Sequence, residues 1–215
     1  MGVDFYKDYD CLIRLACPDY DHCLNLMAKN VPKNARTLLD LGSGTGNLIL
    51  RVLDHHSGIR VWGIELQPRL IRIAHEKLLH SGRNSVRFIH ENLLDCSWPK
   101  AEVVTSSLTI HHFTKREKIK VFKKIYNDSD YFLFFDLVKG ENKAKERQNL
   151  ERIFSHMRRN GVSKEIIEKA REDMDENDKP LTLRGYNDLF TRIGFDYEVL
   201  YLKKGFAVYL CTKKE

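Results

Sequence analysis

The sequence has no long apolar run and no basic, apolar start. No stretch of its 215 residues approaches the ~20 consecutive apolar residues that a membrane-spanning helix requires. Residues 1–10 are acidic and aromatic, unlike the charged and then apolar pattern of a signal peptide. We therefore expect a cytoplasmic protein with no membrane partner.

Cysteine pairs with redox or zinc spacing are also absent. The five cysteines are odd in number, and none forms a C-x-x-C pair with another. Neither a disulfide framework nor a cysteine-based zinc site is indicated. His55 and His56 are adjacent but have no third ligand at metal spacing, so the sequence assigns no metal.

The composition is that of a globular protein with an uneven charge distribution. With 42% hydrophobic and 31% charged residues and no linker, the chain suits a single domain over residues 1–215. The net charge is +6, and residues 115–159 carry 13 Lys and Arg against 7 Asp and Glu. That segment could meet RNA phosphate or an anionic metabolite, or it could be the solvated face of two helices.

The clearest motif begins at Thr37 and ends at Gly46. Its apolar start predicts a buried strand, and Gly42, Gly44 and Gly46 predict a tight turn before helical spacing resumes at residues 47–50. The spacing G-x-G-x-G differs from the dinucleotide pattern G-x-G-x-x-G, and no lysine follows Gly46 as in a phosphate-binding loop. A pyrophosphate ligand is therefore disfavoured.

Strands and helices alternate as far as residue 136. Two N-terminal helices, broken at Pro18, are expected to precede the motif, with Asp19 capping the second. The predicted helices span residues 4–16, 20–31, 67–80 and 114–127, and the predicted strands span residues 37–41, 60–64, 86–89, 103–106 and 131–135. Repeated βαβ units predict an α/β fold, a parallel sheet with helices on both faces.

The alternation fails after residue 136. A mostly helical stretch over about residues 141–175 intervenes, and an insertion of that size is usually a cap or a dimer surface. A helix from near Thr182 to Gly194 follows, and residues 195–202 and 206–211 then form a predicted hairpin. One edge of the sheet should therefore be antiparallel.

Polar residues follow the first four predicted strands. In an open α/β sheet, ligands bind beyond the carboxyl ends of the strands, where the strand order reverses. Glu65 follows the glycines by about 20 residues, the offset at which a carboxylate accepts hydrogen bonds from ribose hydroxyls. Together with the disfavoured pyrophosphate, this spacing indicates a nucleoside without an adjoining phosphate.

These motifs give the chain a family resemblance. Residues 38–46, 63–65 and 91–95 resemble the Rossmann-like S-adenosylmethionine-dependent methyltransferases. The resemblance implies a doubly wound, mostly parallel seven-stranded sheet with an antiparallel last strand, S-adenosylmethionine as cofactor and S-adenosylhomocysteine as product. The resemblance implies Asp40 and Gly42 at the methionine portion, Glu65 at the ribose, Asn92 and Leu93 at the adenine, and Ser106 or Ser107 near the methyl group. It also implies cofactor binding by Ser43, Gly44, Gly46 and Leu66.

A narrower resemblance covers nearly the whole chain. Residues 17–20, the basic residues 157–161 and the tail are similar to carboxy-S-adenosylmethionine synthase, an enzyme of transfer RNA modification. Arg171 falls where that enzyme holds its extra carboxylate. The glycine turn is more regular here, and the synthase lacks the run His111, His112 and Phe113. The expected reaction is therefore ordinary methyl transfer to a small molecule.

The predicted catalytic residues are His111 and His112. An imidazole with a pKa near neutrality suits proton removal, which is needed only if the acceptor must lose a proton. The alternative is that the pair caps a helix or orients a loop.

Tyr20 and Arg171 are the predicted substrate-site residues. Tyr20, with Phe5, Tyr6 and Tyr9, could present aromatic surface to the sulfonium of the cofactor, or could pack in the core. Arg171 could pair with a substrate carboxylate or phosphate, or with its acidic neighbours.

Three functional classes remain open from the sequence. The first is a small-molecule methyltransferase, and the second is a synthase-like or transfer RNA modification enzyme. The third is a cofactor-binding protein without catalysis. A homodimer formed through the insertion also remains open.

Overall fold

The computed structural model describes residues 9–83 and 86–214. Its helices are α1 (Tyr9–Ala16), α2 (Tyr20–Asn30), α3 (Asn47–His55), α4 (Pro68–His80), α5 (Lys115–Asp128), α6 (Lys143–Arg159), α7 (Lys164–Asn177) and α8 (Leu183–Ile193). Its strands are β1 (Thr37–Leu41), β2 (Arg60–Glu65), β3 (Val86–His90), β4 (Val103–Ser107), β5 (Tyr131–Leu137), β6 (Phe195–Lys203) and β7 (Phe206–Lys213). The predicted α/β fold is confirmed.

The strands form one seven-stranded sheet in the order β3-β2-β1-β4-β5-β7-β6. β7 is antiparallel to both of its neighbours, and the other pairings are parallel. The predicted hairpin is confirmed, but its second strand lies one position in from the edge, between β5 and β6. The strand order reverses between β1 and β4, so a ligand crevice is expected beyond the carboxyl ends of these two strands.

Alternation along the strands divides the core between the two faces of the sheet. On β5, Leu133 and Phe135 belong to the apolar cluster that α2, α3 and α6 cover, while Phe132 and Phe134 belong to the cluster beneath α5 and α8. Successive side chains of a strand point to opposite faces, so a strand covered on both sides reads as a continuous apolar run. Residues 131–135 form such a run, and β5 lies inside the sheet between β4 and β7.

The ends of several helices follow from local sequence. Thr114 and Glu117 form a reciprocal capping box at the start of α5, as expected where a hydroxyl residue precedes a glutamate by three positions. Thr182 accepts a hydrogen bond from the backbone of Gly185 at the start of α8. Gly194 ends α8 with a φ of 110°, a left-handed conformation that glycine adopts at little cost.

The prediction that Asp19 caps α2 is wrong. Asp19 has a φ of 63°, and its side chain makes no capping hydrogen bond. Its carboxylate instead accepts hydrogen bonds from the Tyr201 hydroxyl at 2.7 Å and the Lys204 ammonium at 3.1 Å. The loop between α1 and α2 is thereby tied to the hairpin of β6 and β7. Residues 4–8, which include Phe5 and Tyr6, lie outside the described residues.

The predicted insertion consists of two helices, α6 and α7, separated at Gly161. Gly161 has a φ of 78°, and the Ser163 side chain accepts from the backbone of Ile166 to begin α7. α6 packs against α1 and α7, and buries Ile153, Phe154 and Met157. Among the described residues, no helix is both long and apolar enough to cross a membrane.

Candidate active site

The glycine turn joins β1 to α3 at the carboxyl end of the sheet. The backbone N–H groups of Gly42 and Ser43 both donate to the Ile64 carbonyl, at 2.9 and 3.0 Å, which fastens the turn to β2. A Cβ on Gly42 would lie 2.2 Å from Thr109 Oγ1, so close packing requires glycine there. Gly44 has a φ of 52° and faces space with no atom within 4 Å of a built Cβ.

Glu65, at the end of β2, stabilises this turn through hydrogen bonds to the backbone. Its carboxylate accepts from the backbone of Gly44 at 2.9 Å and of Gln67 at 2.8 Å. Each carboxylate oxygen keeps a further lone pair, so the group can still accept hydrogen bonds from a ligand. Leu66, the next residue, is 55% exposed and offers an apolar surface beside it.

Asp40 lies buried beneath the turn, with 1% of its surface exposed. One of its oxygens accepts a hydrogen bond of 2.7 Å from the Thr105 hydroxyl on β4. Burial raises the pKa of Asp40 to about 7, the charge of Glu65 adds to the rise, and the Thr105 hydrogen bond opposes it. A carboxylate in this state is stabilised by any cationic group that approaches it.

The other predicted cofactor residues have partners within the protein. Asn92 accepts from the backbone of Leu94 at 3.0 Å, and Leu93 is buried beside it. The Ser106 hydroxyl donates to the Leu41 carbonyl at 3.1 Å and therefore joins β4 to β1, while Ser107 is half-buried.

The turn fits a cofactor on two further observations. The Ser43 hydroxyl is buried and has no hydrogen-bond partner among the described residues. A buried polar atom normally has a hydrogen-bond partner, so the Ser43 hydroxyl can form a hydrogen bond with a ligand or with solvent. Gly44 leaves open space beside it for close approach to the backbone.

An acidic residue of α1 contacts the start of α3, which sequence patterns do not predict. Asp10 accepts from the Thr45 hydroxyl at 2.5 Å, from the Asn47 amide at 2.8 Å and from the Lys77 ammonium. Burial opposes ionisation, but these hydrogen bonds outweigh it and lower the pKa of Asp10. Tyr9, on the same helix, lines an apolar cavity. Helix α1 therefore contacts both the glycine turn and this cavity.

The predicted histidine pair lies in a single 3-10 turn, Ile110–His112, after β4. His111 is buried and makes two bonds to Asp136 at the end of β5, from its ring Nδ1 and from its backbone N–H at 2.9 Å. Burial lowers the pKa of His111, but the charge and hydrogen bond of Asp136 outweigh this and raise it. His112 is more exposed, and its ring lies 4.0 Å from the His111 ring between centroids.

A third acidic residue, Asp178, meets the histidine pair. Its Oδ1 lies 3.5 Å from Nε2 of His111 and 3.1 Å from Nδ1 of His112. The backbone N–H of Lys179 donates to the His111 carbonyl at 2.7 Å, and this contact holds the end of α7 against the turn. The fully buried Lys118 ammonium donates to the carbonyls of His111, Phe113 and Lys179.

A cavity of about 580 Å³ opens beside the histidine pair. Its walls are mainly apolar side chains of α1, α6 and α7, together with His111, His112, Lys169 and Asp173. Leu108 also lines it, and the next residue, Thr109, contacts Gly42. The cavity therefore adjoins the glycine turn.

The structure does not bring the two predicted substrate residues to this cavity. Among the residues described, Tyr20 packs on Phe135, lies beneath the Arg14 guanidinium, and accepts from Asn47 at 3.3 Å. Arg171 lies in a separate groove, with its guanidinium 4.2 Å from the centre of the Phe154 ring. Helical spacing alone does not reveal which side of α7 meets the cavity.

Comparison with known proteins agrees with this geometry. A model of the methyltransferase domain matches residues 38–127, which run from β1 through α5. The uncharacterized methyltransferase YrrT of Bacillus subtilis is 31% identical over 82% of the chain and 76% of its own length. The chain belongs to the S-adenosylmethionine-dependent methyltransferase family.

One further relative of this methyltransferase is named for a different activity, and solved structures share its fold. The carboxy-S-adenosyl-L-methionine synthase of Wolinella succinogenes is 27% identical over 96% of the chain and 90% of its own length. Among solved structures, YcgJ of Bacillus subtilis matches with a TM-score of 0.68 at 13% identity, covering 91% of this chain and 99% of its own. Human N-acetylserotonin methyltransferase, solved with S-adenosylmethionine, has a TM-score of 0.67 at 15% identity, covering 98% of this chain and 55% of its own. At these identities the structural matches establish the fold alone.

Proposed function

We propose that this methyltransferase transfers the methyl group of S-adenosylmethionine to a small, largely apolar acceptor, with S-adenosylhomocysteine as product. The apolar cavity beside the glycine turn carries this proposal, because its walls suit an apolar body and its histidine pair offers polar contacts. The reaction is an in-line displacement, in which the bond from the methyl carbon to sulfur breaks as the bond to the acceptor forms.

In this proposal the glycine turn and the ends of β2 and β3 hold the cofactor. Asp40 would stabilise the cationic methionine portion, Glu65 and Leu66 would contact the ribose, and Asn92 and Leu93 would flank the adenine. The buried, unpaired Ser43 hydroxyl and the open space at Gly44 support this placement. The protein contributes chiefly by orienting the two reactants and excluding water, which lowers the entropic part of the barrier.

In this proposal the cap formed by α6 and α7 covers one side of the acceptor site. Ile153 and Met157 from α6, and Ile166 and Ala170 from α7, line the cavity. Because α6 also packs against α1, the cap contacts the helix that reaches the glycine turn. The acceptor is therefore expected to be partly enclosed, which favours a small molecule over a polymer.

The second candidate is synthesis or use of a carboxylated cofactor. Its support is the relationship to the Wolinella succinogenes synthase over nearly the whole chain. The position of Arg171, away from the cavity and stacked on Phe154, gives this candidate no basic partner for the extra carboxylate at that residue. Only the basic segment favours transfer RNA as a substrate. Only the inserted helices favour a homodimer through the cap.

Mass spectrometry of the ligand that co-purifies with the protein tests these candidates. S-adenosylmethionine or S-adenosylhomocysteine, together with methylation of a molecule from a panel of small apolar hydroxyl, thiol and amine compounds, is the expected result. A carboxylated cofactor would replace the first candidate with the second. Binding of the cofactor with no transfer to any compound of the panel or to transfer RNA would favour a protein without catalysis.

A further inference from the structure

Two imidazoles and one carboxylate converge at the end of the acceptor cavity. His111 and His112 line the cavity, and Asp178 approaches them from the segment that follows α7. One ligand-type atom from each residue lies within 4.8 Å of the other two. Three donor atoms brought together by two distant segments require an explanation beyond helix capping.

The carboxylate of Asp178 is the most informative member of this group. Its Oδ1 is buried and has no hydrogen-bond partner among the described residues. His112 Nδ1 lies 3.1 Å away and His111 Nε2 3.5 Å away, but neither contact forms a hydrogen bond. A buried, unpaired carboxylate oxygen is costly unless a cation or a proton satisfies it.

Two of the three distances within the group are close to those of ligands around a metal ion, and the third, between the two imidazoles, is within 4.8 Å. Zinc binds imidazole nitrogen and carboxylate oxygen at about 2.0–2.2 Å, and a tetrahedral arrangement then separates the ligand atoms by roughly 3.3–3.5 Å. The observed separations from Asp178 to the two ring nitrogens are 3.1 and 3.5 Å. Ligand lone pairs aim at a shared central point rather than at one another, which agrees with the lack of hydrogen bonds here.

The surroundings of His111 also match a metal ligand. A metal-bound histidine usually donates its other ring N–H to a carboxylate, which fixes the tautomer and the ring orientation. Asp136 occupies that position at Nδ1 of His111 and leaves Nε2 facing Asp178. The backbone contacts of Lys118 and Lys179 hold the same turn in place.

Charge balance around the group leaves room for a cation. A metal ion binds imidazole in its neutral form, and the other described charged groups next to the site are Asp136, Asp178 and the Lys118 ammonium. In that form one negative charge is in excess, and the metal ion would offset it in place of the proton that the raised pKa of His111 favours. Lys169 and Asp173, which carry opposite charges, also line the cavity.

We propose that His111, His112 and Asp178 bind one divalent transition-metal ion, with zinc as the closest match to the donor set. Three protein ligands leave a fourth position for water or substrate, as in catalytic zinc sites, and the cavity lies on the side of the two histidines. This ion would hold an acceptor hydroxyl or thiol as its anion, a step that rests on the proposed function. The acceptor proton passes to solvent, and the freed electron pair forms the bond to the methyl carbon as the bond from that carbon to the cofactor sulfur breaks.

Metal binding is tested on untagged, chelator-treated protein with Zn²⁺ and Co²⁺ as probes. Calorimetry should detect one Zn²⁺ per chain, and bound Co²⁺ should give the visible absorption bands of a four- or five-coordinate site. Asp178→Asn keeps the shape of the side chain and should weaken Zn²⁺ binding at least tenfold. His112→Ala, at a half-exposed position, should weaken it to a similar or greater extent.

Two matched variants control for unrelated effects. Asp173→Asn removes a carboxylate from the same cavity without touching the three ligands, and should leave Zn²⁺ affinity within about twofold. His80→Ala removes an exposed imidazole on α4 and should also leave affinity unchanged. Absence of stoichiometric Zn²⁺ and Co²⁺ binding, or equal losses in Asp173→Asn and Asp178→Asn, would overturn the metal site.

The same preparation separates this inference from the function on which it builds. If the protein binds no metal but still methylates an acceptor, the metal site fails and the proposed function stands. If the protein binds one metal ion and S-adenosylmethionine but methylates nothing, the proposed function fails and the metal site stands. Methylation that Zn²⁺ restores after chelation supports both.

Discussion

The two ends of the active site are built in different ways. At the cofactor end, the glycine turn is fastened by backbone hydrogen bonds to β2, and Asp40 and Glu65 both have partners within the protein. At the acceptor end, helices α1, α6 and α7 contribute apolar walls, and Asp178 Oδ1 is left without a hydrogen bond. Under the proposed function, the comparison teaches that a fixed, strand-bound end would hold the cofactor while a helical cap would select the acceptor.

The largest effect should come from blocking the cofactor end. Gly44→Val places a side chain in the open space of the turn, and we expect S-adenosylmethionine affinity to fall at least a hundredfold by calorimetry. The residue has a φ of 52°, so the variant also loses about 1–2 kcal/mol of stability.

Gly58→Val is the matched control for the backbone strain of a side chain at a positive φ. Gly58 also has a positive φ, 91°, with open space around a built Cβ, but it lies in the turn before β2. It should lose similar stability and keep its cofactor affinity. Normal affinity in folded Gly44→Val would disprove the placement of the cofactor.

A smaller and more selective effect should follow from filling the acceptor end. Ala170→Phe projects a ring into the cavity, and we expect kcat/KM for the acceptor to fall at least tenfold because the acceptor no longer fits. Cofactor affinity should stay within about twofold, since Ala170 does not belong to the glycine turn. Ala144→Phe, at an exposed position of α6, is the control. A parallel loss of cofactor affinity in Ala170→Phe would contradict the division into two ends.

The last prediction concerns the stability of the folded protein rather than binding, through the pH dependence of Asp40. Its pKa is raised to about 7 in the folded protein, against an ordinary value of 3.8, so the folded state binds the extra proton more tightly. The stabilising contribution is present below pH 4 and is lost as pH rises towards 7, by about 1.4 kcal/mol per pH unit at most. Chemical denaturation of the cofactor-free protein at pH 5 and pH 7 should show this loss.

The variant Asp40→Asn cannot ionise and should lack that part of the pH dependence. Saturating S-adenosylmethionine should also reduce it in the unsubstituted protein, because a cationic ligand favours the ionised carboxylate. An identical pH profile in Asp40→Asn would show that another group titrates.

Local patterns predicted most of the fold and the cofactor end. The turn from Gly42 to Gly46, the proline at the start of α4 and the end of α8 at Gly194 depend on neighbouring residues, so their physical causes are visible in the sequence. Asp19 shows the limit of such rules, because the carboxylate that could cap α2 is bound by Tyr201 and Lys204 from far along the chain.

The acceptor end could not be predicted in the same way. His111 and His112 were found because they follow a strand, but Asp136 and Asp178 reach them only through the packing of β5 and the end of α7. Arg171 faces away from the cavity because of the orientation of α7, which a spacing of four residues leaves open. Contacts between distant segments determine the structure of the acceptor end. Such contacts cannot be derived from local patterns in a single sequence.

Helix α1 has a consequence for the order of events in turnover. Asp10 accepts hydrogen bonds from Thr45 and Asn47 at the glycine turn. Tyr9 and Leu12, on the same helix, form part of the cavity wall. Under the proposed function, movement of this one helix would open both ends together, and cofactor exchange and acceptor exchange would then share a single gate.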